Sequence, residues 1–281
     1  MTDNKQSLLD IIKEHLEAEK LQLWVFPRVA LELQELLNKP DYSVDHVAKL
    51  ILKDQVLSSQ VLRIANSAFF AGLKKVSTIR EAIIRLGTRQ LLNCVVMVTQ
   101  RNFYRAGNEV IAGHMQSLWQ HALGCALGSR WFLEKTGYRD LSQEGFLAGL
   151  FHDIGKLFLL NILEKIHNAG RVDIDVSKPL ILEILDGMHP HCGYDLLKQW
   201  NIPDAYCDIA RDHHKKEFDT NDILLVVVRL VNQGCCKMGL GMTHDPSLVL
   251  AGLPEAHALG VKEVLLAELE IMLEDTMSLN F

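Results

Sequence analysis

The stretch Leu150-Phe151-His152-Asp153-Ile154-Gly155-Lys156-Leu157 sets a histidine and an aspartate side by side in an otherwise apolar run. Leu147, Leu150, Ile154 and Leu157 recur at spacings of three and four, which is the signature of a helix with one buried face. On such a helix His152 and Lys156 share a face, and Asp153 stands one turn before Lys156. A charged pair on a core-facing helix costs on the order of several kcal/mol unless something compensates it. A metal ion is one compensator, since neutral imidazole and carboxylate are ready ligands for Zn, Fe or Mn. A satisfied polar pair at a helix surface is the other reading. Gly149 and Gly155 each weaken the helix by about 1 kcal/mol against Ala. Small residues there let a ligand or a second backbone come close, or serve tight helix packing alone.

Helical periodicity continues on both sides. Leu8, Ile11, Ile12, His15 and Leu16 form one apolar stripe, and Val29, Leu33, Leu36 and Leu37 another that Pro40 terminates. Ser43 is a good N-cap for a helix faced by Val47, Leu50 and Ile51. Residues 58–71 carry Val61, Leu62, Ile64 and Ala65; residues 77–86 carry Ile79, Ile83 and Leu86, with Gly87 as the stop. Residues 89–103 read as a long apolar helix. Leu224 to Val231 is rich in β-branched residues, but its length and its place after Asn221-Asp222 favour a buried helix. No segment alternates with period two for long enough to make a sheet. The expected fold is all-α. Ala106-Gly107-Asn108 is turn-like, 170–179 is a polar connector, 239–254 is loop-rich, and 261–277 is a final amphipathic helix.

A chain of 281 residues, 48% hydrophobic, allows one large domain or two small ones. Its net charge of −6 comes with scattered Lys and Arg and no basic stripe, so no nucleic-acid partner is expected. The polar start, Met1 to Lys5, is not that of a signal peptide. The apolar run Ile223 to Val231 is interrupted by Arg229 and too short to span a bilayer, so no membrane association is expected. Cys94, Cys125, Cys192, Cys207, Cys235 and Cys236 lie in apolar surroundings without CxxC spacing. They read as small core residues in a reducing, cytoplasmic setting.

Twelve histidines is a high count, and several have company. His121 lies in Leu118-Trp119-Gln120-His121, His189 in His189-Pro190-His191-Cys192-Gly193, and His213-His214 in Arg211-Asp212-His213-His214-Lys215. Asn232 ends the series. Each group, with His152-Asp153, falls on a different predicted helix or helix end. Helices packed about one axis can project such groups to one point. His15, His46, His114, His167, His244 and His257 have no partners in this pattern and are expected at the surface or at caps; His191 is a weaker candidate than His189.

Phe151-His152-Asp153-Ile154-Gly155-Lys156 resembles the signature of the HD superfamily of metal-dependent phosphohydrolases. The N-terminal half resembles the HDOD family within it. That likeness is carried by Phe26-Pro27, Ile51-Leu52-Lys53-Asp54 and the block Val61-Leu62-Arg63-Ile64-Ala65-Asn66-Ser67-Ala68-Phe69-Phe70. Val76-Ser77-Thr78-Ile79, Ala82-Ile83, Leu86-Gly87 and the pattern from His189 through Gly193, Leu196-Leu197 and Trp200 to Pro203 continue it. The usual Asp-Pro of the family is Asp54-Gln55 here.

The resemblance implies a multi-helix HD-like bundle with an N-terminal helical subdomain (1–108), a metal-binding core (109–238) and a C-terminal loop and helix extension (239–281). By motif position it implies that His121, His152 and Asp153 hold a first metal. His189 and His213, with His214, would hold a second, and Asp153 would bridge the two. Lys156 matches a lysine that contacts phosphate, so Asp153 and Lys156 are the expected catalytic pair. Asn232 stands where the set closes with an aspartate, supplying a carbonyl oxygen but no charge. No Gly-Tyr-Pro follows His213-His214. Imidazole-rich ligation favours Fe or Mn, with Zn or Ni next, over Mg or Ca. The implied function is bacterial signalling, either as a phosphohydrolase acting on a phosphoester or nucleotide, or as a non-catalytic module that binds a signalling partner. Phe69 and Phe70 are candidate anchors for that partner, or core residues.

Overall fold

Apolar residues spaced by three and four build helices throughout the chain. A computed structural model describes residues 8–19, 27–67, 69–70, 72, 74–171 and 178–277; Phe26, Ala68, Ala71 and most of the 170–179 connector lie outside them. The helices are α1 (Leu8–Glu19), α2 (Arg28–Leu37), α3 (Val44–Leu52), α4 (Gln55–Ala65), α5 (Ile79–Arg101), α6 (Glu109–Lys135), α7 (Ser142–Phe151), α8 (Ile154–Asn168), α9 (Lys178–Gln199), α10 (Asp204–Asp212), α11 (Ile223–Met238), α12 (Pro254–Leu259) and α13 (Glu263–Met277). The fold is all-α, with no strand among the described residues.

Two compact units emerge. Residues Val25–Phe103 form one, and α1 joins the chain from Tyr104 onward in the other. In the first, α2, α3 and α4 pack on α5 around Leu33, Val47, Ile51, Leu57, Ile64 and Leu91. Helix ends follow side-chain chemistry. Ser43 caps α3 by accepting from His46 N. The α4 helix starts earlier than 58 because Asp54 accepts from Val56 N and Leu57 N. Gln55 then occupies the first helical position, where a proline is favoured but dispensable. It also stops at Ala65, short of 71: Asn66 Nδ2 donates to Leu62 O and Val76 O, and its Oδ1 accepts from Val76 N, so this side chain staples the 66–76 loop. Thr78 caps α5, in a reciprocal box with Glu81. Gly87 breaks that helix with φ 73°, and the chain resumes helical geometry directly after it. Phe69 and Phe70 are both half-buried.

In the second unit α6 packs against α7, α8, α11 and α13. Ala148, Ile209, Leu225 and Val228 join α7, α10 and α11 in one buried cluster. By length and composition the stretch 139–168 is apolar enough to cross a membrane, yet 83% of its most apolar window is buried inside the protein. It forms the core helices α7 and α8. The expectation of one helix running through His152-Asp153 is corrected here. Asp153 has φ −104° and ψ 14°, so α7 ends before it and α8 begins after it. His152 N still donates to Ala148 O, and Lys156 N donates to Asp153 O. The break frees the Asp153 side chain to leave the helix axis.

The two glycines of the motif meet backbone. A Cβ on Gly149 would lie 2.3 Å from Cys125 O, and one on Gly155 would lie 2.0 Å from His189 O. They are the close-packing points of α7 on α6 and of α8 on α9.

Candidate metal centre

Five buried side chains converge in the second unit. His121 comes from the middle of α6, His152 and Asp153 from the α7–α8 junction, His189 from the middle of α9, and His213 from the end of α10. Asp153 sits at the N-cap position of α8 but makes no capping hydrogen bond, because its carboxylate points into the cluster. Its Oδ2 lies 3.3 Å from Nε2 of His121, 3.5 Å from Nε2 of His152 and 2.9 Å from Nζ of Lys156. Its Oδ1 lies 3.3 Å from Nε2 of both His189 and His213.

The rings are held from behind. Nδ1 of His121 donates to Leu240 O at 2.9 Å, that of His152 to Gly149 O at 2.8 Å, and that of His189 to Leu185 O at 2.7 Å. His213 Nδ1 lies 3.1 Å from Ile209 O and 3.0 Å from Ala210 O. A carbonyl brings no proton, so each Nδ1 carries one, and a neutral ring then presents Nε2 as a bare lone pair. Burial pushes His121 and His213 below the ordinary imidazole value and His152 well below it, which outweighs the attraction of Asp153 and keeps these rings neutral. Burial by itself raises the Asp153 carboxyl. The Lys156 ammonium beside it works the other way, and the carboxyl lies well below the usual carboxylate range.

Acceptors therefore face acceptors. Nε2 of His121 is 3.1 Å from Nε2 of His152, and Nε2 of His189 is 3.4 Å from Nε2 of His213. Asp153 Oδ1 is buried and has no hydrogen-bond donor. A buried set of this kind is unfavourable unless donors or a cation meet the lone pairs, and Lys156 meets only Oδ2. Metal-bound histidines are held in this way, with the second ring nitrogen given to a carbonyl. The residues fit a divalent ion at each face of Asp153.

Two groups of ligand-capable atoms, each spanning no more than 4.8 Å, divide the cluster: Asp153, His189, His213 and His214 form one, and His121, Cys125 and His152 the other. His214 is the exposed member, its ring 4.1 Å from that of His213. Asn232 and Lys156 line a cavity of about 350 Å³ with His121, Asp153, His189 and His214. Leu118, Leu182 and Met242 are its apolar walls, and Asp186, Gln233, Cys236 and Thr243 add polar groups. His191 is exposed, away from the inward face of α9.

Sequence reasoning missed Cys125, although its place four residues after His121 was a usable signal. It also missed Leu240 as the carbonyl that orients His121. That loop passes over the ring because Gly241 has φ 133° and no side chain; a Cβ there would lie 3.1 Å from His121 Nδ1.

The sequence pattern described as the HDOD domain matches residues 23–216. An uncharacterized protein of Treponema pallidum (strain Nichols) is 24% identical over 193 residues, covering 67% of this chain and 37% of that protein. The match thus spans little more than a third of the relative. An HDOD domain protein of unknown function from Geobacter sulfurreducens has TM-score 0.72 and 25% identity, over 96% of this chain and 97% of its own. A protein from Shewanella amazonensis SB2B, named as a proposed metal-dependent phosphohydrolase, has TM-score 0.73 at 19% identity, over 98% of this chain and 99% of its own. That second likeness is one of fold.

Proposed function

The chain belongs to the HDOD domain family, and from that footing we propose that it is a cytoplasmic bacterial signalling protein with a working metal centre and phosphohydrolase activity on a phosphoester or nucleotide. The observation that carries this reading is the buried set of four imidazole Nε2 atoms turned toward Asp153, with a carboxylate oxygen that has no hydrogen-bond partner. His121, His152 and Asp153 Oδ2 would hold one ion; Asp153 Oδ1, His189, His213 and His214 would hold the other. When bound, a divalent ion supplies a water made nucleophilic near neutral pH and a Lewis acid for the phosphoryl oxygen. Imidazole-rich ligation favours Fe or Mn, then Zn or Ni.

The chain's own groups supply the rest. Lys156 lines the cavity with its ammonium beside Asp153, where it can meet a phosphate oxygen as a point charge. Asn232, Gln233 and Thr243 offer hydrogen bonds to a ligand, and Leu118, Leu182 and Met242 exclude water. A cavity of about 350 Å³ suits a small phosphorylated ligand. The names of the phosphohydrolase neighbours are consistent with this chemistry.

A second reading is favoured by Asn232, which leaves the set one negative charge short, and by Lys215-Lys216-Glu217 in place of Gly-Tyr-Pro. There the ion stabilises the bundle, and the protein acts as a regulatory module for a signalling partner, with neither nucleic acid nor membrane engaged.

Elemental analysis of the purified chain, before and after incubation with Fe or Mn, tests the metal centre. Bound metal is expected in the native protein and its loss in Asp153→Asn; a wild type that stays metal-free sinks the reading. Hydrolysis of a generic phosphodiester by the loaded wild type should exceed that by Asp153→Asn, and equal rates leave only the regulatory module.

A further inference from the structure

Cys125 follows His121 by one turn of α6, so both side chains leave the same helix face. Its Sγ lies 3.6 Å from Nε2 of His121. It is fully buried, and its other sulfur contact is Cys235 Sγ, also at 3.6 Å. A tetrahedral ion with nitrogen ligands at about 2.0–2.1 Å and sulfur at about 2.3 Å has N···N edges of roughly 3.4 Å and N···S edges of roughly 3.6 Å. Around this end of the cluster the edges are 3.1 Å for His121–His152, 3.3 Å for His121–Asp153, 3.5 Å for His152–Asp153 and 3.6 Å for Cys125–His121. These are four of the six edges of such a tetrahedron, and they leave Cys125, grouped with His121 and His152, as the candidate for its fourth corner.

Charge points the same way. Two neutral imidazoles and half-share of one carboxylate leave a divalent ion undercompensated, and Asn232 adds no charge. A thiolate supplies what that position lacks. The opposite face of Asp153, with His189, His213 and His214, has no sulfur in its ligand group.

We propose that Cys125 is the fourth protein ligand of the ion held by His121, His152 and Asp153, which makes this end a thiophilic, zinc-type site. The inference rests on the metal-centre reading above. The thiol proton leaves to solvent as the sulfur–metal bond forms. Four protein ligands close a tetrahedral ion, as in structural sites, whereas three leave a position for substrate. The His121 end therefore serves structure, and substrate access belongs to the end that carries the exposed His214.

The full chain loaded with zinc is read by X-ray absorption, and loaded with cobalt(II) by its near-ultraviolet spectrum. Wild type is expected to show a sulfur scatterer at about 2.3 Å and a sulfur-to-cobalt charge-transfer band. Cys125→Ser should lose both, and Cys235→Ser and Cys236→Ser should keep both. Loaded wild type with only nitrogen and oxygen scatterers overturns the assignment, whether or not the variants fold. So does a sulfur signal that survives Cys125→Ser and disappears in Cys235→Ser or Cys236→Ser. A wild type that takes up no zinc, cobalt, iron or manganese overturns the metal centre itself, a different failure with a different reading.

Discussion

Asp153 has two oxygens with separate surroundings: Oδ2 faces His121, His152 and Lys156, and Oδ1 faces His189 and His213. One residue thereby joins both ends of the cluster. The rings around it give the metal-free protein a defined pH response. Burial depresses His121, His152 and His213, so below about pH 6.5 the unfolded chain takes up protons that the folded rings refuse. Above that value the rings contribute no slope. Stability is therefore expected to hold from about pH 8 to 6.5 and to fall below, by up to about 1.4 kcal/mol per pH unit for each ring. Asp153, held low, adds its own loss only further down, in and below the carboxylate range. Denaturant midpoints of the metal-free chain across this range check the sign; a midpoint that rises on acidification to pH about 5 contradicts it.

At the scale of elements, the candidate ligands meet because helices approach more closely than ordinary side chains allow. A Cβ at Gly155 would strike His189 O at 2.0 Å and Gly193 N at 2.7 Å, both backbone, so α8 and α9 would have to separate. Gly155→Ala should therefore destabilise the protein by about 1–3 kcal/mol or more and weaken metal binding at the His189 end. Gly187, on the same α9, is exposed and has nothing within 4 Å of an added Cβ. Gly187→Ala should leave metal binding unchanged and stabilise by up to about 1 kcal/mol. Thermal melts and metal titrations of the two variants separate close packing from helix propensity; equal effects would refute the packing argument. The sequence left Gly149 and Gly155 open between ligand approach and helix packing. Their neighbours decide for packing, in service of the site.

At the scale of the whole molecule, every candidate ligand comes from the unit that begins at Tyr104. Metal at about a hundred times its Kd should stabilise by about 2.7 kcal/mol. The gain should appear as hydrogen-exchange protection in α6 to α11, without direct gain in α2 to α5. A chelator should reverse it. Protection spread evenly over Val25–Phe103 would show that the ion acts on more than the unit that holds it.

The helices were legible in the sequence because amphipathic periodicity is a local property, readable within one turn or two. The candidate groups could be picked out as well, since His121, His152-Asp153, His189 and His213 are spaced along separate segments. Helix ends were less legible: the segment expected over 58–71 runs from Gln55 to Ala65, because Asp54 caps its start and the Asn66 side chain turns to Val76. The break at His152-Asp153 was hidden because the surrounding run keeps its apolar spacing through it. The amino-acid sequence by itself thus determined an all-α chain and the residue types available to a metal. Only the tertiary structure decided that the Nε2 atoms of four rings face one carboxylate, that the carbonyl of Leu240, 119 residues along from His121, meets its Nδ1, and that Cys125 lies beside His121. The physical reason is that ligation depends on where helices cross, and crossings are set by packing between residues far apart in the chain.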